Sequence, residues 1–361
     1  MTAVPRLRDR LASSAEDRPR ASYSDDLVTA LLAMWFVVGL FLDAWAHNNL
    51  PGLETFFTPW HAVFYSGFTA CAGWICWLGF RHRLVGEPLL AKVPVGYSLA
   101  ILGLPLFALA GIGDYTWHAI FGIEQSLKIL FSPTHLVLAV AGILIVTSPL
   151  RSAWADRSLT AAPSLVRLVP AVLTLGLATS AILLFLQYAN ALVWGDWDIV
   201  TAMSDPLDGS HPINWPSPVD LVSAMAVTNV VLLLPLLLLA KRWRVPAGSA
   251  TILFAAPVGL SAAITELHSP SIIIAVVVAG LGVDALLAWL RPAPARRQAF
   301  LAFAALGPLV IWSTYLAGAF IGTGQVPTVV EYWTGAPIVA ALLGLAVGVV
   351  CLPATETVTT G

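Results

Sequence analysis

One short segment of the sequence combines a carboxylate and two imidazoles at spacings that suit a metal ion. Asp43 and His47 are four residues apart, so on a helix both side chains lie on the same face. A loop follows, and the next apolar stretch opens with Thr58-Pro59-Trp60-His61. Thr58 suits the N-cap and Pro59 the first helical position, which places His61 in the first turn of the returning helix. Such a hairpin gathers Asp43, His47 and His61 around one point.

A second segment repeats this pattern 71 residues further along the chain. Asp114 and His118 are again four residues apart, and Ser132-Pro133-Thr134-His135 opens the next apolar stretch. The repeated interval indicates a duplicated unit. Both aspartates end long apolar runs, where an ionised carboxylate is costly unless it is paired. We therefore predict a second metal site formed by Asp114, His118 and His135. A polar packing or proton-relay cluster is the alternative for both segments.

The ligand types alone do not select one metal. Two histidines and one carboxylate with open coordination positions are typical of non-haem Fe(II) oxygenases, and they also fit catalytic zinc. Neither motif contains a cysteine or methionine, which argues against a Cu(I) transport site. Glu54 and Glu124 lie in the two connecting loops. We expect both to be solvated, and they matter only if the protein is a zinc hydrolase that needs a general base.

The elements that position these side chains are membrane-spanning helices. The chain is 58% hydrophobic and 11% charged, whereas soluble domains are about 45–50% apolar and about 25% charged. A span of the hydrocarbon core needs roughly 20 apolar residues. The sequence predicts an all-α, polytopic membrane bundle with ten spans. These spans are residues 27–47, 59–80, 94–121, 133–149, 165–194, 217–240, 247–267, 270–290, 298–321 and 335–352.

Basic residues predict how these spans are oriented. Of the 18 lysines and arginines, all but Lys128 lie in the N-terminal segment or in connections that follow an even-numbered span. Because Lys and Arg are retained on the cytoplasmic side, we predict five outward-pointing hairpins with both chain ends in the cytoplasm of a plasma-membrane protein. Residues 1–24 and 354–361 are then cytoplasmic tails, and 1–24 does not resemble a signal peptide. Residues 25–150 form the metal-binding domain with its motifs facing outward, and 151–353 form further hairpins.

The first motif resembles a known family of membrane enzymes. Asp43, His47 and the run Phe57-Thr58-Pro59-Trp60-His61-Ala62-Val63-Phe64-Tyr65 are similar to the C subunit of the particulate methane and ammonia monooxygenases. The resemblance covers about residues 30–150. That family has a second ligand set of Asn, His and His one hairpin later, and this chain has Asp114 in place of the Asn. The resemblance implies copper at both sites, activation of dioxygen and oxidation of a small apolar substrate, with separate membrane subunits as partners.

Two later hairpins carry degenerate versions of the pattern. In the third, Gln187 and Ala191 stand where the aspartate and histidine would be, and Asp220 follows a Ser-Pro corner in place of a histidine. Its loop, residues 194–216, is acidic and is either a lid or a plain connection, and we favour the latter. In the fourth, Glu266 and His268 precede Ser269-Pro270. They are two residues apart and do not share a helix face, so at most one of them is a further ligand.

Three functions fit these observations. The first is a copper-dependent membrane monooxygenase that oxidises a small apolar substrate with dioxygen, with zinc or iron as the other metals that fit. The second is a zinc-dependent membrane hydrolase, and the third is a membrane metal-binding protein without catalysis. The expected partners are the lipid bilayer and either other membrane subunits or further copies of the chain. A net charge of −2 excludes a broad basic face for nucleic acid.

Overall fold

The computed structural model describes residues 18–50, 57–81, 93–122, 130–205 and 215–352. Within these ranges the chain forms twelve α-helices, two short 3₁₀ turns and no strand, which confirms the predicted all-α class. Contacts between residues divide the chain into two units. One comprises residues 1–159 and 166–181, and the other comprises residues 160–165 and 182–361.

The first unit contains five helices and most of a sixth. They are α1 (Tyr23–Asn49), α2 (Pro59–Phe80), α3 (Ser98–Phe121), α4 (Pro133–Val146), α5 (Ser148–Ala155) and α6 (Leu165–Phe185). Helix α1 packs along α2, and α3 packs along α4. Helices α1 and α2 pack closely because each has a glycine where it meets the other. A Cβ atom on Gly39 would lie 2.8 Å from the Cα of Phe64, and one on Gly67 would lie 2.6 Å from the Cα of Phe36.

The helices that return after the two motifs begin as the sequence predicts. Thr58 and Ser132 are N-caps whose hydroxyls accept hydrogen bonds from the backbone N–H of His61 and His135. Each cap is followed by a proline within the first helical turn, where the missing N–H costs no hydrogen bond. These caps fix the starts of α2 and α4, and they fix which way the first-turn histidines point.

At the other end of α1, a polar cluster joins three helices. Arg81, which follows α2, donates to both oxygens of Asp25 at 2.9 and 2.5 Å. The Tyr97 hydroxyl, just before α3, donates to Asp26 at 2.7 Å and lies 2.9 Å from the Thr29 hydroxyl. Buried carboxylates are tolerated when they are paired in this way. The cluster therefore holds α1, α2 and α3 together about 25 Å from Asp43, at roughly 1.5 Å per helical residue.

The second unit contains the remaining helices. They are α7 (Asp196–Ala202), α8 (Pro218–Arg242), α9 (Ser249–Ile264), α10 (Pro270–Leu290), α11 (Arg297–Thr323) and α12 (Val330–Cys351). Its one aspartate deep within an apolar helix, Asp284 of α10, has a structural role. Its oxygens accept from the backbone N–H groups of Ala250 and Thr251 at 3.0 and 3.1 Å, and from the Thr251 hydroxyl at 2.7 Å. Asp284 thus caps the start of α9.

In the part of the chain that the structure describes, eight helices are long and apolar enough to cross a membrane: α1, α2, α3, α6, α8, α10, α11 and α12. These eight fit a multi-pass membrane protein. The predicted span 133–149 is broken into α4 and α5, which bend by 40° at Thr147, and the pair makes a ninth candidate if counted together. Helix α9 is apolar but has only 16 residues. The count of ten spans and the placement of the domain boundary at residue 150 therefore stay predictions.

The predicted span 165–194 also differs from the structure. Helix α6 ends at Phe185, and two 3₁₀ turns follow at Gln187–Ala189 and Ala191–Val193. Side chains replace the helical hydrogen bonds of this stretch. The Thr228 hydroxyl accepts from the N–H of Ala191 at 2.9 Å, and the Tyr315 hydroxyl donates to the carbonyl of Ala191 at 2.6 Å. An apolar sequence can leave the helix here because its backbone groups are satisfied by neighbouring helices.

Candidate metal centres

The structure brings Asp43, His47 and His61 together. His61 Nδ1 lies 3.1 Å from Asp43 Oδ1, and His47 Nε2 lies 3.8 Å from Asp43 Oδ2. One ligand atom from each residue lies within 4.8 Å of the other two. The two imidazole rings stand nearly perpendicular, with centroids 5.6 Å apart. The i,i+4 pair on α1 and the first-turn histidine of α2 therefore converge as the sequence predicts.

Asp114, His118 and His135 form a second group with the same architecture. His118 Nε2 lies 3.4 Å from Asp114 Oδ2, and His135 Nε2 lies 3.4 Å from Asp114 Oδ1. Their ligand atoms also lie within 4.8 Å of one another. Helix α3 supplies the i,i+4 pair, and α4 supplies His135 from its first turn. Among the residues that the structure describes, these two triads are the groups of three His, Cys, Asp or Glu side chains that could hold a metal ion.

The spacing of the donor atoms fits a metal ion. With bonds of about 2.0–2.1 Å to nitrogen and oxygen, donors in a tetrahedral shell lie roughly 3.3 Å apart. In each triad the two histidines approach different oxygens of one carboxylate, both at 3.4 Å around Asp114 and at 3.1 and 3.8 Å around Asp43, so each nitrogen–oxygen separation is close to this value. Asp43 Oδ1 is also buried and accepts no hydrogen bond from the described residues. A buried carboxylate oxygen of this kind requires a cation or a donor.

The orientation of the His118 ring also favours a cation in the second triad. Its Nδ1 lies 3.1 Å from the carbonyl oxygen of Gly122. A carbonyl only accepts, so Nδ1 is the donor, and the Nε2 of a neutral imidazole is then an acceptor. This Nε2 faces a carboxylate oxygen of Asp114. Two acceptors that face each other need a metal cation or a proton between them. A ligand histidine held through its other nitrogen in this way is the usual arrangement in metal sites.

The described residues supply three ligands to each triad. Structural zinc sites fill all four positions with protein ligands, whereas catalytic sites have three protein ligands and keep one position open. The donor set of one carboxylate and two imidazoles fits copper, iron and zinc, and the geometry does not choose among them.

Tyr65 lies between the two triads. Its ring stacks on that of His61 at a centroid distance of 6.2 Å and an interplanar angle of 16°. Its hydroxyl and ring edge pack against α3, where a Cβ atom on Gly111 would lie 3.1 Å from the hydroxyl oxygen. Asp43 and Asp114 both act electrostatically on Tyr65, and they act on each other. The two triads are therefore neighbours in one electrostatic environment.

One to two helical turns from the triads, aromatic rings of α1, α2 and α3 pack against one another. Phe36, Phe64 and Phe107 form a mutual cluster with centroid distances of 5.2 to 5.8 Å. The Phe68 ring stacks on Phe107 at 4.4 Å. Phe64 is one turn from His61, and Phe107 is two turns from Asp114. The aromatic cluster therefore packs α1, α2 and α3 together one to two helical turns from the triads.

Sequence reasoning missed two residues of this region. The Thr134 hydroxyl donates to Asp114 Oδ1 at 2.8 Å, and Tyr65 packs on His61. Tyr65 lies four residues after His61, so the i,i+4 rule applied once more would have found it. Thr134 lies beside His135, but its contact depends on how α3 packs against α4, which the sequence pattern does not contain.

The remaining candidates do not join a triad. Glu54 and Glu124 lie outside the described residues. Glu266 and His268 belong to no group of three potential ligands among the residues that the structure describes. Asp220 is exposed in the first turn of α8, where its N–H is capped by Ser217. The metal ligands of the described chain are therefore best sought in the six residues named from the sequence.

Comparisons with protein-family models, with curated proteins and with solved structures each found no match. The resemblance to the C subunit of the particulate monooxygenases consequently rests on the motif residues alone.

Proposed function

We propose that this protein is a membrane metalloenzyme that binds one copper ion at each Asp-His-His triad and oxidises a small apolar substrate with dioxygen. The observation that carries the proposal is that six side chains with nitrogen or oxygen ligand atoms converge into two groups of three. The choice of copper and of oxidation comes from the motif resemblance. Iron fits the same donors if copper is not the native metal.

The side chains of the chain have distinct parts in this function. Asp43 and Asp114 supply negative charge that offsets the charge of a bound cation in a low-dielectric setting. In each triad the two histidines would hold the ion together with the aspartate. A metal bound there supplies binding and activation of dioxygen. The buried rings of Phe36, Phe64 and Phe107 pack together and hold α1, α2 and α3, which carry five of the six proposed ligands, against one another.

The balance of such a reaction identifies one further partner. When one oxygen atom of dioxygen is inserted into a C–H bond, the other leaves as water, so an electron donor must supply two electrons and two protons must be taken up with them. We propose that this donor, and further membrane subunits or copies of the chain, act with the protein. The described residues suggest no candidate for the donor.

We also propose the topology that the basic residues predict. Ten spans form five hairpins in the plasma membrane, both chain ends are cytoplasmic, and the triads face outward. The test is labelling with a membrane-impermeant thiol reagent in intact cells, with the parent protein as background. Cysteines introduced at Glu54 and Glu124 should react, and one at Arg83 should not. The reverse pattern would overturn the topology.

Metal analysis of protein purified without chelators tests the proposed chemistry. We expect copper, together with a Cu(II) electron paramagnetic resonance spectrum that shows nitrogen couplings from imidazole. The double variant Asp43→Ala/Asp114→Ala should lose both the metal and the spectrum. Zinc in place of copper or iron would favour the membrane hydrolase. Absence of any transition metal would favour a polar or proton-relay cluster.

A further inference from the structure

The second unit contains a cavity that no part of the proposed metal chemistry uses. Its volume is about 210 Å³, and it lies between the segment that follows α6 and the turn that joins α9 to α10. At about 30 Å³ per water molecule, it has room for roughly seven waters or one small organic molecule. All of its lining residues belong to the second unit.

Two irregular segments of backbone border this cavity, beside the regular helices α9 and α10. One is the 3₁₀ turn Ala191–Val193, which interrupts what the sequence predicts as a continuous span. The other is the turn between α9 and α10, whose residues Glu266 and Leu267 adopt positive φ angles of 54° and 58° although their side chains do not line the cavity. Residues other than glycine rarely take this conformation, and they cluster at binding sites when they do. Interrupted apolar helices within membrane proteins also mark binding sites. Two independent departures from regular structure therefore meet at one cavity.

The polar side chains that line the cavity present acceptors. Thr265 donates its hydroxyl proton to the carbonyl of Ala262 at 3.1 Å, and Ser269 donates to Asp196 at 3.2 Å. His268 Nδ1 bonds to the carbonyl of Thr265, which leaves Nε2 of a neutral imidazole as an acceptor. The carboxylate of Asp198 receives no hydrogen bond or ion pair from the described residues. Such a wall suits a ligand that carries hydrogen-bond donors.

The rest of the lining selects a cation with an apolar tail. Trp194 borders the cavity, and an indole face attracts organic cations. Leu192, Ile272 and Ile273 make the remaining wall apolar. None of the described residues that line the cavity is a lysine or arginine, so a positive ligand meets no repulsion there. The carboxylate and the indole suit the charged end of a small amphiphilic cation, and the apolar wall suits its alkyl end.

We propose that this cavity binds a small alkylammonium ion, with its ammonium group on Asp198 and His268 and its alkyl chain against Leu192, Ile272 and Ile273. The site contains no triad residue, so its occupancy does not depend on the metal content of the protein. The inference therefore stands or falls separately from the proposed oxidation chemistry.

Ligand-observed nuclear magnetic resonance titration on the purified full chain in a non-ionic detergent tests the proposal. The probe is n-butylammonium, its neutral counterpart is 1-butanol, and protein-free micelles give the background. The variant is Asp198→Asn, and Asp220→Asn is the matched control. Both aspartates are exposed and lie in the first turn of a helix of the second unit, so the two changes have similar effects on folding and net charge.

We expect saturable binding of one n-butylammonium ion, at least tenfold weaker binding of 1-butanol, and about tenfold or greater weakening by Asp198→Asn. Asp220→Asn should bind as the wild type does. Equal binding of the alcohol would show an unselective apolar cavity, and an unchanged dissociation constant in Asp198→Asn would remove the carboxylate from the site. Either result, or an absence of saturable binding in the wild type, would overturn the proposal.

Discussion

The two triads share a motif but differ in what surrounds it. In the second triad, the Thr134 hydroxyl donates to Asp114 at 2.8 Å, and both histidines present Nε2 at 3.4 Å. In the first, Trp60 stands where Thr134 would be and packs edge-on against Trp45. Asp43 thus has no corresponding hydroxyl, and its histidines lie at unequal distances.

A duplicated motif can therefore give two sites with different surroundings. The ligands are fixed by helix periodicity and by the caps, so both copies keep them. The outer partners, which are the residues that hydrogen-bond to a ligand without binding the metal, depend on packing between helices, so they differ between the two copies. Outer partners that orient a ligand strengthen metal binding. We therefore expect the second triad to bind a divalent ion more tightly than the first.

The largest expected effect comes from the ligand Asp114 itself. Asp114→Ala removes both the charge and the donor oxygen. It should weaken metal binding at the second triad more than about 100-fold, which exceeds the effect expected from losing a residue that only hydrogen-bonds to a ligand. Asp114→Asn keeps one donor oxygen but loses the charge attraction, and should fall between the alanine variant and the wild type. Metal titration of the three proteins measures this order. Equal affinities would mean that Asp114 is not a ligand.

A smaller effect should separate the two triads directly. Thr134→Val keeps the shape of the side chain but removes the donor to Asp114, and should weaken the second site about 10- to 100-fold. The first site should be unchanged. Thr116→Val is the matched control, because the Thr116 hydroxyl bonds only within its own helix, to the carbonyl of Ile112 at 2.9 Å. If Thr134→Val leaves both affinities at wild-type values, the structural contrast has no energetic consequence.

The smallest effect should be common to both triads. Tyr65→Phe removes a hydroxyl that is not among the six proposed ligands but that lies in the electrostatic range of both aspartates. We expect changes of no more than about threefold, roughly 0.7 kcal/mol, and in the same direction at both sites. The same titrations measure it. Loss of an ion from one site alone would make Tyr65 a ligand of that site and would alter the comparison.

The sequence predicts the ligands better than their surroundings. The i,i+4 pairs and the Ser/Thr-Pro caps are local features, and they place Asp43 beside His61 and Asp114 beside His135 without knowledge of the fold. The contact of Thr134 with Asp114 and the packing of Tyr65 on Gly111 depend on how neighbouring helices meet. No local pattern contains that information.

The same limit applies to the spans. Hydropathy marks residues 165–194 as one continuous apolar stretch, yet α6 ends at Phe185 because Thr228 and Tyr315 satisfy the irregular backbone that follows. Those residues lie far away in sequence. Hydropathy likewise does not reveal the bend at Thr147. There the guanidinium of Arg151 bonds to the carbonyl of Leu144 and to the Thr147 hydroxyl, both at 2.6 Å.

We propose that each helix pair supplies a complete metal site of its own. The most direct test is the number of transition-metal ions per chain in the wild type, in His61→Ala and in His135→Ala, measured by elemental analysis of the purified proteins. We expect two ions in the wild type and one in each variant. Loss of both ions from either single variant would show one composite centre, and two ions in all three proteins would contradict the assignment of these histidines as ligands.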